Sequence, residues 1–198
     1  MQNITNKFFL PSQIVSGEIE NFNEIKDDFI KLIYEYKEKN PESSIISNRG
    51  GWQSSRTAFF DSLFCNQLEI VKKEITKLIR EYNLISDLDL PSMWVNINSK
   101  HSYNNRHTHP GASISGVLWI KIPENSGDFV FEMPDCFNYE LLNKTNNRHR
   151  SKNNLFAALD IKPKEGLMIL FPSYLPHYVN QNYSDEDRIS LAFNLVLK

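Results

Sequence analysis

The chain reads as a mainly β protein with helices packed on its outside, and three observations predict this. Two stretches before residue 90 carry apolar positions at helical spacing. From Pro91 onward the period changes to two, with Met93, Val95 and Ile97 alternating against Trp94, Asn96 and Asn98. Short runs rich in aromatic and β-branched residues then recur between clusters of Pro, Gly, Asn and Asp. That regular spacing indicates an all-β sandwich or barrel rather than alternating βαβ units. At 198 residues the chain is expected to be a single domain, with a helical part over 1–90 and a β core over 91–198.

Taken in order, Phe8-Phe9-Leu10-Pro11 reads as a short extended segment, because Pro11 biases Leu10 away from helix. A first helix is expected from about Glu24 to Lys39. Ile25, Phe29, Ile30, Leu32, Ile33 and Tyr36 recur on one face, and Asn40-Pro41 ends it. Pro41 to Ser55 reads as a loop centred on Gly50-Gly51. A second amphipathic helix covers about Asn66 to Tyr82, with Leu68, Val71, Ile75, Leu78 and Ile79 on its stripe. Beyond the strand at Pro91, further strands are expected over Ser113–Ile122, Asp128–Met133, Phe156–Ile161, Leu167–Phe171 and Ile189–Leu197. The polar stretch Asn143 to Asn154 reads as a surface loop.

Composition narrows the function classes. The formal net charge is −2 and no basic block stands out, which argues against a nucleic-acid surface. No apolar run is long enough to span a bilayer, and the first residues do not resemble a signal peptide. Cys65 and Cys136 form no Cys-x-x-Cys pair, so both are expected as free thiols in a reducing compartment. A soluble cytoplasmic protein is the expectation.

Chemistry is concentrated in two stretches. His107 and His109 are two residues apart, so in an extended segment both side chains leave one face and can share a metal. Such a pair alone is more often two polar residues at a strand-to-loop boundary, bound only to water. His177, approached through two stiffening prolines in Phe171-Pro172-Ser173-Tyr174-Leu175-Pro176-His177, offers a third imidazole from a distant strand. In Arg188-Ile189-Ser190-Leu191-Ala192-Phe193-Asn194, period two separates a core face, Ile189, Leu191 and Phe193, from Arg188, Ser190, Ala192 and Asn194. A guanidinium inside a barrel requires an anion. A ligand carboxylate gripped by Arg188 and touched by Ser190 meets that need; so does an internal acid such as Glu132 or Asp160.

The order His107-x-His109, His177, Arg188-x-Ser190 resembles the double-stranded β-helix (jelly-roll, cupin-like) of the iron(II)/2-oxoglutarate-dependent oxygenases. More narrowly, it is similar to a subfamily of 2-oxoglutarate oxygenases of bacteria and phages. The likeness rests on Gly51-Trp52-Gln53-Ser54, Tyr103-Asn104-x-x-His107-x-His109-Pro110, Ser115-Gly116-Val117, Pro123-Glu124-Asn125-Ser126-Gly127, Phe171-Pro172-Ser173 and Arg188-Ile189-Ser190. It implies that His107, His109 and His177 hold Fe(II), and that Arg188 and Ser190 bind the distal carboxylate of 2-oxoglutarate. It also implies that Tyr103 or a residue near Ser115 lines the co-substrate pocket. The implied reaction consumes O2 and hydroxylates an unidentified small-molecule or protein substrate, with succinate and CO2 as co-products.

Two departures stand out. The wider superfamily has an acid where this chain has His109, and the subfamily commonly has tyrosines where Leu118 and Trp119 stand. A neutral imidazole leaves the metal site one charge more positive. An acid such as Asp128 or Glu132 is the alternative third ligand, with one histidine behind it. Two other readings remain at this point. One is a cupin-like metalloenzyme that does not use 2-oxoglutarate, and the other is a non-catalytic barrel that only binds. His101 and His149 are expected to be exposed, and Trp52, Trp94 and Trp119 to be core. The sequence leaves the oligomeric state open.

Overall fold

The computed structural model describes residues 12–82, 84, 87–132, 145–148 and 158–198. Its strands are β1 (Val15–Glu18), β2 (Asn48–Arg49), β3 (Trp52–Gln53), β4 (Leu88–Asn98), β5 (Tyr103–His107), β6 (Ile114–Lys121), β7 (Phe129–Glu132), β8 (Ala158–Ile161), β9 (Leu167–Pro172), β10 (His177–Val179) and β11 (Arg188–Leu197). Helices α1 (Phe22–Lys39) and α2 (Cys65–Ile79) precede β4. The strands form a six-stranded sheet in the order β1-β9-β6-β11-β4-β3 and a five-stranded sheet in the order β2-β5-β10-β7-β8. Every pairing is antiparallel.

From β4 to β11 the chain crosses back and forth between the two sheets, changing sheet at every step except β7 to β8. This is the double-stranded β-helix that the sequence pattern and its resemblance lead one to expect. Both helices pack on the outer face of the six-stranded sheet. Phe29 and Ile33 of α1 and Val71 and Ile75 of α2 share one apolar cluster with Met93, Val95 and Ile97 of β4 and Ile189, Leu191 and Phe193 of β11. Each fully buried side chain of this size contributes about 1.5–3 kcal/mol. A second cluster lies between the sheets and includes Val117, Trp119, Phe129, Phe131, Ile169 and Phe171. The six-stranded sheet is therefore covered on both sides. Its inner face carries the residues out of phase with the helix-facing ones: Trp94, Asn96 and Asn98 on β4, and Arg188, Ser190, Ala192 and Asn194 on β11. Register sets these beside one another, Trp94 by Ala192, Asn96 by Ser190 and Asn98 by Arg188.

Several expectations change. The region Pro41 to Ser55 is not simply loop: it contains β2 and β3, which join opposite sheets, β2 to β5 and β3 to β4. Gly50 and Gly51 make that crossing possible. Gly50 has φ +78°, and a Cβ on Gly51 would lie 2.3 Å from the Ile97 carbonyl oxygen. Phe59 and Phe64, in short 3-10 turns between the helices, stack at 4.7 Å and fill the space beside α1. The expected strands Asp128–Met133 and Phe156–Ile161 appear as β7 and β8 within the described residues. The Phe8–Pro11 segment, Cys136, His149 and most of the Asn143–Asn154 stretch lie outside them. Cys65 is a free, exposed thiol. No helix among the described residues is long and apolar enough to cross a membrane.

Candidate functional site

The pairing of β5 with β10 begins the site. His107, the last residue of β5, lies directly opposite His177, the first of β10. Beyond β5 the chain turns at Gly111 (φ +85°). The His109 backbone N–H donates to the Ser173 carbonyl at 2.9 Å, which brings its side chain over the same spot. His177 is clamped by aromatic rings, with Phe129 stacked at 5.2 Å and Phe171 edge-on at 4.9 Å.

The three imidazoles converge. One candidate ligand atom from each of His107, His109 and His177 lies within 4.8 Å of the other two, and His109 Nε2 is 3.2 Å from His177 Nε2. Each Nδ1 is already engaged: His107 with the Asn105 carbonyl at 2.7 Å, His177 with the Leu175 carbonyl at 2.9 Å, and His109 with Asn194 Oδ1 at 2.6 Å. Engagement of Nδ1 fixes ring orientation and leaves Nε2 for a metal. Two nitrogens bound to one cation at about 2.1 Å and at right angles would be about 3.0 Å apart, close to the separation between His109 and His177. Burial lowers the pKa of all three rings, to about 4 for His109 and well below the usual value for His177. The rings are therefore neutral at pH 7, the form that ligates metals.

Arg188 enters the same cavity from β11. It is 2% exposed, and its three hydrogen bonds all come from Nη1, to the carbonyls of Ser126 (2.7 Å), Gly127 (3.3 Å) and Asn180 (3.4 Å). Burial alone pushes its pKa down to about 10. Among the described residues no carboxylate pairs with it. Glu132 is paired with Arg106, and Asp160 lies on exposed β8. Neither of these two acids forms the internal ion pair considered for Arg188. Neither Asp128 nor Glu132 joins the imidazole group.

The cavity between these two ends has a volume of ≈ 50 Å³, room for several waters at about 10–15 Å³ each. Its two walls differ. Ser47, Asn96, Asn104 and Ser190 make one side polar, and Val117, Trp119, Phe129 and Phe171 make the other apolar. Asn96 Oδ1 is buried there with no hydrogen-bond partner.

Of the remaining site candidates, Ser190 lines this cavity, but Tyr103 and Ser115 do not. A register irregularity in the β5–β10 pairing turns both Asn104 and His107 inward, three residues apart instead of two. Tyr103 is consequently 40% exposed and lines an outer depression with Arg106 and Tyr178. Ser115 is fully buried behind the histidines, where its hydroxyl donates to Asn194 Oδ1 at 2.8 Å and meets Ser173 Oγ at 2.8 Å. Trp94 and Trp119 are buried as expected but also line the cavity, and the Trp94 ring lies 5.7 Å from that of His109. Ser47, Asn96 and Asn104 escaped the sequence reading. The alternation of Asn96 and Asn98 with apolar residues on β4 was the available signal for Asn96.

Residues 92–194, just over half of the chain, match the family described as "Putative 2OG-Fe(II) oxygenase". The chain belongs to this family. Its members are oxidoreductases named for Fe(II) and 2-oxoglutarate, and this oxygenase presents a histidine group and a buried arginine suited to both. Solved structures share its fold. A prolyl-4-hydroxylase from Pseudomonas putida matches with a TM-score of 0.60 at 14% identity, covering 91% of each chain. HygX from Streptomyces hygroscopicus, solved with nickel and 2-oxoglutarate bound, matches with a TM-score of 0.63 at 12% identity, covering 93% of this oxygenase and 82% of HygX. The viral collagen prolyl hydroxylase vCPH from Paramecium Bursaria Chlorella virus-1, in complex with 2-oxoglutarate, matches with a TM-score of 0.57 at 16% identity, covering 91% and 95%. No curated protein matches the sequence itself.

Proposed function

We propose that this oxygenase binds Fe(II) through His107, His109 and His177, binds 2-oxoglutarate through Arg188 and Ser190, and hydroxylates a substrate while releasing succinate and CO2. The observation that carries the reading is a buried arginine with no carboxylate partner among the described residues, lining the cavity into which three neutral imidazoles converge. A ligand dianion supplies the charge that Arg188 lacks, and a cation supplies what two facing Nε2 atoms need.

Bound Fe(II) and 2-oxoglutarate would supply the activation of O2 that the side chains cannot. The chain's own part is positioning and exclusion. Arg188, anchored through Nη1, keeps Nε and Nη2 for a carboxylate and so sets where the co-substrate ends. Ser190, in register with Asn96, adds a hydroxyl beside it. Phe129, Phe171 and Trp119 keep bulk water from the apolar wall and leave an adjoining surface for an apolar part of the substrate. The primary substrate is a small molecule or a protein side chain.

An anaerobic titration of iron(II)-loaded protein with 2-oxoglutarate tests this. A visible charge-transfer band is expected in wild type, weakened in Arg188→Ala and absent in His177→Ala. Succinate release on admitting O2 should follow the band. Bound iron with no band would favour a three-histidine metalloenzyme that does not use 2-oxoglutarate. Folded protein that takes up no iron would refute both readings.

A further inference from the structure

The backbone dictates the tautomer of two of the three histidines. His107 Nδ1 faces the Asn105 carbonyl at 2.7 Å, and His177 Nδ1 faces the Leu175 carbonyl at 2.9 Å. A carbonyl only accepts, so both rings carry their proton on Nδ1 and present a lone pair at Nε2. His109 differs, because its Nδ1 partner is the side-chain amide of Asn194 at 2.6 Å. An amide offers an acceptor or donors according to which way it is turned.

The groups behind Asn194 tolerate both orientations. Ser115 Oγ lies 2.8 Å from the same amide atom, and Ser173 Oγ lies 2.8 Å from Ser115 Oγ. Both are hydroxyls, able to donate or accept. With the amide oxygen inward, His109 carries Nδ1–H, and its Nε2 lone pair faces that of His177 at 3.2 Å. That arrangement is favourable only with a cation between them. With the amide nitrogen inward, its two hydrogens go to His109 Nδ1 and Ser115 Oγ. The ring proton then sits on Nε2 and donates to His177 Nε2 across the same 3.2 Å.

We propose that Asn194 is a positioning residue that selects the tautomer of His109. Its amide oxygen turns inward in the metal-loaded protein and its nitrogen turns inward in the metal-free one. This rests on the metal-centre reading given above. The switch moves one proton between the two nitrogens of a single neutral ring, so loading the metal releases no net proton from His109.

Ring-15N NMR of histidine-labelled protein, metal-free and zinc-loaded, tests it. The expected result is Nε2–H for His109 without metal and Nδ1–H with zinc, while His107 and His177 remain Nδ1–H throughout. In Asn194→Leu the zinc affinity should fall roughly 10- to 100-fold, and the metal-free His109 signal should become a mixture of tautomers. His107 and His177 that remain Nδ1–H in that variant confirm an intact site. Nδ1–H at His109 in metal-free wild type, with tight zinc binding, overturns this inference alone. Wild-type protein that takes up neither zinc nor iron overturns the metal reading and this inference together.

Discussion

Replacing Arg188 with Met should move stability and co-substrate affinity in different ways. Burial lowers the arginine from its ordinary 12.5 to about 10, equivalent to roughly 3 kcal/mol at 1.36 kcal/mol per tenfold. At neutral pH the group is charged in both folded and unfolded chains, so the folded state bears this cost in full. Against it stands one short, buried hydrogen bond to the Ser126 carbonyl, worth about 1–3 kcal/mol when its acceptor would otherwise be orphaned. The other two bonds are long and only partly buried. The two sides nearly cancel. Arg188→Met without ligand should therefore lie within about 2 kcal/mol of wild type.

Co-substrate binding has no such compensation. A carboxylate left without its cation in a buried site costs about 3–5 kcal/mol, at least a roughly 100-fold loss of affinity. At 100 times its Kd, 2-oxoglutarate should stabilise nickel-loaded wild type by about 2.7 kcal/mol, or about 5–10 °C in Tm for a chain of this size. The same concentration should raise the Tm of Arg188→Met by about 1 °C or less. Thermal melts of nickel-loaded protein, with and without 2-oxoglutarate, read both effects. A variant that loses more than about 4 kcal/mol by itself yet keeps the full ligand shift would refute the reasoning and make Arg188 a structural residue.

Other outcomes follow from the same geometry. His177→Ala removes a ring clamped between Phe129 and Phe171. It should abolish nickel(II) quenching of the fluorescence of Trp94, which lies beside His109, while His101→Ala should leave that quenching intact. The metal-free protein should lose stability as pH falls from about 6.5 toward 4. His109 titrates at about 4 when folded, so between those values the unfolded chain binds more protons, a difference of about 3 kcal/mol. Urea unfolding at several pH values checks this, and His109→Gln should show a shallower dependence. A Cβ on Gly116 would lie 2.3 Å from Phe193 Cζ. Gly116→Ala should accordingly cost about 1–3 kcal/mol in urea unfolding, and an unchanged midpoint would refute that packing argument.

Much of the fold was legible because it follows local periodicity. Ile189, Leu191 and Phe193 do face the helices, and Arg188, Ser190, Ala192 and Asn194 do face the barrel interior. The period of two on β11 requires that separation once the strand is covered on both sides. The helical stripes of α1 and α2 were readable for the same reason, with boundaries at Phe22 and Ile79. Two-residue strands such as β2 and β3 are too short to carry a period. The Phe59–Phe64 stack occupies 3-10 turns that share none of the helical spacing.

The site divides along a similar line. The sequence by itself determined the chemical inventory: three imidazoles, one guanidinium, and a strand whose alternation sends Arg188 and Ser190 to one side. Tertiary structure decided who meets whom. Only the β5–β10 register sets His107 against His177, and its irregularity sends Tyr103 outward and Asn104 inward. Only the closing of the two sheets leaves Arg188 without a carboxylate among the described residues, puts Glu132 on Arg106, and places Asn194 behind His109. Alternation is a property of neighbouring residues on one strand. A partner across the barrel is a property of strand pairing between residues as far apart as His109 and Asn194, and no local pattern encodes it.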